Sequence, residues 1–104
     1  MNALRIVYLE HSGFAVETAE TLLVFDYYRD PANRLAPLIA AAKRCWFFSS
    51  HAHGDHFNRE IGRWNEVANG YVLSSDIRPA GLADSAKIIS CRPYQQVALE
   101  EIAV

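Results

Sequence analysis

The chain has 104 residues, of which 51% are hydrophobic, and a formal net charge of -2 at pH 7. This length allows one globular domain. The near-neutral charge, with no run of Lys or Arg, argues against a nucleic-acid-binding protein. No apolar run approaches the roughly 20 residues of a membrane helix, and no basic leader precedes the first strand. We therefore expect a cytoplasmic protein.

Three short strands are predicted in the first quarter of the chain, over residues 4–9, 14–18 and 21–25. Residues 12–13 and 19–20 supply the turns between them, so the natural assembly is an antiparallel meander. Asp26 ends the third strand. The two cysteines, Cys45 and Cys91, lie in later apolar stretches and are expected to be buried free thiols in a reducing compartment. A disulfide between them is the alternative.

Helices and strands alternate after this meander. Apolar residues recur at helical spacing from 35 to 42, but Pro37 interrupts the pattern, so the predicted helix runs from Pro37 to about Lys43. A buried strand is predicted over 45–48. A second helix is predicted after the cap residue Asn58, from apolar residues that recur at 57, 61, 64 and 68, and Gly70 can stop it. Further strands are predicted over 71–74 and 87–91, and a last hairpin or strand over 95–104.

This order of elements predicts a mixed sheet with helices on one face, in the α+β or α/β class. A histidine-rich window lies on the loop between a strand and a helix, where such sheets usually carry their chemistry. Three of the four histidines of the chain fall in this window, at His51, His53 and His56.

The spacing within the window predicts a metal site. Imidazole and carboxylate groups are ligands of borderline divalent cations such as zinc. In an extended segment, side chains two residues apart point the same way, so His51 and His53 can bind one cation together. Gly54 allows a sharp turn that would bring Asp55 and His56 to a second cation.

The run His51-Ala52-His53-Gly54-Asp55-His56 resembles the H-x-H-x-D-H signature of the metallo-β-lactamase superfamily. The start of the chain, from Glu10 through His11-Ser12-Gly13-Phe14, resembles the lactonase-like branch of that superfamily. The resemblance extends over the whole chain. It implies an αββα sandwich, in which two mixed sheets pack face to face and the helices lie outside.

The resemblance also implies roles for individual residues. His51 and His53 would bind a first zinc and Asp55 and His56 a second, with manganese or iron as alternatives. Asp55 would also orient the attacking hydroxide and is thus the predicted catalytic residue. Asp26 would brace the metal-binding loop. His11 is interpreted either as a residue that caps its strand or as a substrate contact.

The chain departs from the family in one respect. Family members use further histidine and aspartate ligands downstream, whereas no histidine follows His56. Asp76 and Asp84 lie too close to the signature for the bridging role. The resemblance therefore implies the N-terminal half of a domain, with an incomplete site in this chain.

Three functions follow as hypotheses. The first is a metal-dependent hydrolase that cleaves esters, lactones or phosphodiesters of small molecules by a metal-bound hydroxide. The second is a non-catalytic remnant or assembly module that forms homo-oligomers, or pairs with a separate C-terminal half, through an exposed sheet face. The third, an amidohydrolase-type His-x-His on a barrel strand, is disfavoured because such barrels need a much longer chain.

Overall fold

A computed structural model describes residues 4–10, 13–53 and 56–92 of the chain, together with the backbone of residues 98–99 and 102–103. It contains one six-stranded sheet, and the strands lie side by side in chain order. These strands are β1 (Arg5–Glu10), β2 (Gly13–Glu17), β3 (Thr21–Phe25), β4 (Arg44–Ser49), β5 (Gly70–Ser74) and β6 (Ile88–Cys91).

The sheet is mixed, as the sequence predicted. β1, β2 and β3 form an antiparallel meander, and β3 to β6 pair in parallel. Each of these six strands lies within two residues of its predicted position. Helical segments are few, and the arrangement is compatible with the α+β class. Two short strands, β7 (Ala98–Leu99) and β8 (Ile102–Ala103), pair antiparallel where a hairpin or strand was expected.

The only α-helix of the described residues, α1, spans Leu35–Ala41 and so begins two residues before the predicted start at Pro37. Proline is tolerated there because backbone N–H groups in the first turn of a helix have no intrahelical acceptor. The carboxylate of Asp30 accepts hydrogen bonds from the N–H groups of Arg34 (2.9 Å) and Leu35 (2.6 Å), which fixes the earlier start. The helix ends before Lys43, because Ala42 is already extended.

The second predicted helix is a 3-10 helix, Arg59–Trp64, and is shorter than expected. Asn58 caps it as predicted, since its side chain accepts a hydrogen bond from the N–H of Glu60. The buried hydroxyl of Tyr71 donates to the carbonyl of Ile61 at 2.8 Å. In an α-helix this carbonyl would accept a hydrogen bond from the N–H of Asn65. That N–H donates to the carbonyl of Gly62 instead. A second 3-10 helix spans Ser85–Lys87.

Gly70 does not stop this helix but begins β5. A Cβ atom at Gly70 would lie 2.4 Å from Cζ3 of Trp46 on the neighbouring strand. The glycine is therefore required by close packing between strands rather than by a helix terminus.

The two faces of the sheet carry separate apolar clusters. On one face, strand residues such as Val24, Phe47 and Tyr71 pack with α1 and with Ile61 of the 3-10 helix. On the other face, the cluster contains Leu23, Trp46, Phe48 and Val72. The alternation along β3, β4 and β5 follows from the two-residue period of a strand.

The second face also carries a stacked aromatic ladder. The ring centroids of Phe14 and Phe25 are 4.9 Å apart, and those of Phe25 and Phe48 are 4.6 Å apart. Beyond it, Ile6 and Tyr8 on β1 pair with Val16 and Phe14 and so lie on the same face. Ile6 is 65% exposed and Tyr8 61% exposed.

Both cysteines are free thiols, as expected, but only Cys45 is fully buried; Cys91 is half-buried. Burial raises the pKa of the Cys45 thiol to about 12. Among the helices of the described residues, none has the length and apolar character needed to span a membrane.

Candidate metal centre

Polar residues gather where three neighbouring parallel strands end. Asp26 follows β3, Ser50 follows β4 and Asp76 lies just beyond β5. Phe25 pairs with Phe48, and Ser49 with Leu73, so the three strand ends are level. Parallel strands present their carboxyl ends at the same edge of a sheet, which is the usual place for binding sites.

Asp26 adopts an uncommon backbone conformation. Its φ is 49°, in the left-handed region that non-glycine residues seldom occupy, although aspartate is among the more tolerant. Its N–H donates to the carbonyl of Phe48 at 2.7 Å, which ties the end of β3 to β4. This turn directs the carboxylate toward the loop that leaves β4.

The Asp26 carboxylate holds that loop through three contacts. Oδ1 accepts a hydrogen bond from the N–H of Ser50, and Oδ2 accepts one from the Ser50 hydroxyl, both at 2.7 Å. Oδ2 also lies 3.2 Å from Nδ1 of His56. The side chains of His56 and Asp26 are only 23% and 15% exposed. With a proton on Nδ1, His56 would donate a hydrogen bond to this carboxylate.

Ser50 links the same carboxylate to a second imidazole. Its Oγ lies 2.9 Å from Nδ1 of His51. Because the Ser50 hydroxyl proton is given to Asp26, Oγ acts as the acceptor toward His51, whose Nδ1 then carries a proton. In a neutral imidazole with this tautomer, Nε2 of His51 would carry the lone pair. Sequence reasoning missed Ser50, although a hydroxyl residue directly before the first histidine of the window was the available indication.

The imidazoles of the window lie close together. The ring centroids of His51 and His53 are 6.2 Å apart, and those of His51 and His56 are 4.8 Å apart. A zinc–nitrogen bond of about 2 Å, with about 1 Å more to the ring centre, lets two rings on one cation lie up to roughly 6 Å apart. The 4.8 Å separation of His51 and His56 lies within this limit, whereas the 6.2 Å separation of His51 and His53 is slightly beyond it.

The described residues do not by themselves form a complete set of metal ligands. Among them, no group of three or more His, Cys, Asp or Glu side chains is placed to hold a metal ion. Asp55, the predicted catalytic residue and metal ligand, and His11 lie outside the described residues. The donor chemistry nevertheless fits a borderline divalent cation, because Nδ1 of His51 contacts Ser50 and Nδ1 of His56 contacts Asp26, and contacts of this kind orient imidazoles that bind metals.

Asp76 is a second carboxylate at this edge. Its Oδ2 accepts a hydrogen bond from the N–H of Ala52 at 3.2 Å, and its Oδ1 accepts one from the hydroxyl of Ser74. The hydrogen bond from Ser74, followed by that from Ala52, lowers the pKa of Asp76. Sequence reasoning considered this residue only as a bridging metal ligand and did not predict its contact with the histidine loop.

A cavity of about 440 Å³ opens beside the histidines on the second face of the sheet. The aromatic ladder of Phe14, Phe25 and Phe48 forms its apolar part, and Asp26 and His51 line its polar end. The cavity therefore joins the apolar face to His51 at the end of β4.

A scan of the chain against models of protein families finds no match, and a search of curated proteins finds no similar sequence. Function is therefore inferred from the residues of the site.

Proposed function

We propose that this chain is part of a metal-dependent hydrolase of the metallo-β-lactamase superfamily, which acts on an ester, lactone or phosphodiester of a small molecule. The observation that carries the proposal is the Asp26 carboxylate, which contacts His56 directly and His51 through Ser50. Carboxylates that accept from the outer nitrogen of a histidine orient the ring and raise its basicity toward a metal.

In this proposal His51 and His53 hold a first zinc ion, and Asp55 and His56 hold a second, with manganese or iron as alternatives. A bound zinc would lower the pKa of a coordinated water to about 7. Asp55 acts as the catalytic residue that orients the attacking water. Asp26 would fix the loop, and His11 would either cap its strand or contact the substrate.

The ligand set of this chain is incomplete in the proposal. Catalytic zinc usually has three protein ligands and a water, whereas these residues provide two for each ion. We propose that the chain is the N-terminal half of an αββα sandwich in the cytoplasm, with its helices on one face. A second sheet would cover the opposite face, where Phe14, Phe25 and Phe48 lie, and would provide the remaining ligands.

Zinc binding to the 104-residue chain tests the metal site. After dialysis against zinc, metal analysis and competition with a coloured chelator should detect weak binding to the wild-type chain. The double variant H51A/H53A should lose at least tenfold in affinity, because it removes both ligands of the first ion. C91S is the control, since it removes a half-exposed thiol that could itself bind zinc; it should bind as the wild type does.

Two results would count against this assignment. Zinc binding that is absent from the wild type, or equal in H51A/H53A, would refute the metal site. Two tightly bound zinc ions per chain would refute the incomplete ligand set while leaving the hydrolase proposal in place.

The exposed apolar side chains at the β1 edge of the second face favour a second candidate function, a non-catalytic module that assembles with copies of itself. Leu4 and Ile6 are each 65% exposed, and Tyr8 is 61% exposed. Contiguous apolar surface of this kind promotes association. Two copies packed sheet to sheet would bury these side chains.

A further inference from the structure

We propose that Asp76 is a positioning residue for the metal loop: by binding the backbone N–H of Ala52, its carboxylate sets the relative orientation of the histidines on either side. This inference rests on the proposed function, because it assigns a task to Asp76 only if His51 and His53 bind a cation.

The position of Asp76 is itself well fixed. Asp76 lies in the turn after β5, where the N–H of Ile77 donates to the carbonyl of Ser74 at 3.0 Å. Ile77 is buried, with 5% of its surface exposed. The N–H of Ser75 donates to the carbonyl of Cys91 on β6 at 2.9 Å, so the turn is also held by the next strand.

Both carboxylate oxygens of Asp76 have partners. Ser74 donates its hydroxyl to Oδ1, which fixes the orientation of the carboxylate, and Oδ2 accepts from the N–H of Ala52 at 3.2 Å. A hydrogen bond to an ionised acceptor is roughly twice as strong as one between neutral groups. The backbone between the two histidines is thereby attached to β5.

The hydrogen bond between Asp76 and Ala52 acts on the backbone between the two histidines that would share a cation. His51 and His53 are both exposed, so packing does little to hold them. Asp26 and Ser50 act on His51 and His56 through their Nδ1 atoms. The Asp76–Ala52 hydrogen bond instead restrains the main chain between His51 and His53. Loss of such an outer contact typically lowers metal affinity by about 10- to 100-fold.

Metal affinity and amide hydrogen exchange together test the proposal. D76A should weaken zinc binding at least tenfold, and its Ala52 amide should exchange faster in the metal-free protein. D76N should fall between D76A and the wild type, because an amide oxygen still accepts a hydrogen bond. D84A is the matched control, since Asp84 is an exposed carboxylate that makes no capping hydrogen bond.

The two readouts separate this inference from the proposed function. If the wild type binds zinc but D76A binds it equally well, the positioning role is refuted. If the wild type binds no zinc, the metal site is refuted and the positioning role with it, even where the Ala52 amide still depends on Asp76. Equal exchange of the Ala52 amide in D76A and the wild type would refute the hydrogen bond itself, whatever the metal does.

Discussion

Asp26 is the residue on which the geometry of the histidine-containing loop after β4 most depends. It occupies a left-handed conformation, with φ of 49°, and its carboxylate accepts from both the N–H and the hydroxyl of Ser50. Local strain of this kind persists where surrounding contacts fix the residue. The backbone conformation and the hydrogen bonds therefore support each other.

Substitution of Asp26 separates these two contributions. D26N keeps a residue that tolerates the left-handed region and one oxygen acceptor, so we expect a loss of about 1–2 kcal/mol in unfolding free energy. D26A removes every acceptor and also places a residue that tolerates the left-handed region poorly. We therefore expect it to lower the unfolding free energy by about 3 kcal/mol. Urea unfolding followed by tryptophan fluorescence measures both, with S50A as the control that removes only the hydroxyl. Equal losses in D26N and D26A would contradict this account.

At the level of residues, the histidine window could be predicted because its information is local. Ligand chemistry and a two-residue spacing can be read directly from the sequence at His51 and His53. The position of Ser50 directly before His51 was an indication of its role, but the contacts of Ser50 and Asp76 could not be read from the local sequence. The partners of these two, Asp26 and Ala52, lie 24 positions away along the chain and meet them only when parallel strands pair.

The elements of the sheet were predicted well for a similar reason. The strands from β1 to β6 are short apolar runs between polar turns, and each lies within two residues of its expected place. The helical segments were predicted less well. Helical periodicity indicates that the segment near Ile61 packs on the sheet, but not that the Tyr71 hydroxyl takes the Ile61 carbonyl and favours a 3-10 helix.

Alanine substitutions at two glycines test how tightly the first 3-10 helix is packed. A Cβ atom at Gly62 would lie 2.2 Å from the carbonyl oxygen of Leu82, whereas one at Gly81 would meet nothing within 4 Å. We expect G62A to destabilise the fold by about 3 kcal/mol, because the backbone near Leu82 must move. We expect G81A to lower the unfolding free energy by only about 1 kcal/mol. The φ of 77° at Gly81 is unfavourable for alanine, but a Cβ atom there would meet no other atom within 4 Å.

Thermal and urea unfolding of both variants measure the difference. A G62A chain as stable as the wild type would mean that the 3-10 helix is free to shift away from Leu82. A G81A chain that is less stable than G62A would mean that backbone conformation outweighs packing in this region.

At the scale of the whole molecule, the apolar second face decides between the two candidate functions. The double variant I6T/Y8T keeps residues that favour strands but removes exposed apolar surface. If the chain self-associates through this face, sedimentation velocity should show oligomers for the wild type and monomers for I6T/Y8T. V67T is the matched control, because Val67 is also exposed, at 56%, but lies outside the sheet. A wild type that is monomeric at every concentration would contradict the assembly function.

The distances along the chain between the partners at the metal loop also bear on folding order. The meander of β1 to β3 joins near neighbours, whereas Asp26 meets His56 across 30 positions. Long loops are closed late, after local contacts have formed. The cluster of imidazoles is therefore expected to assemble in the last stage of folding. Under the proposed function, a nascent or partly unfolded chain would keep its hairpins without binding cations, and metal uptake would report that folding is complete.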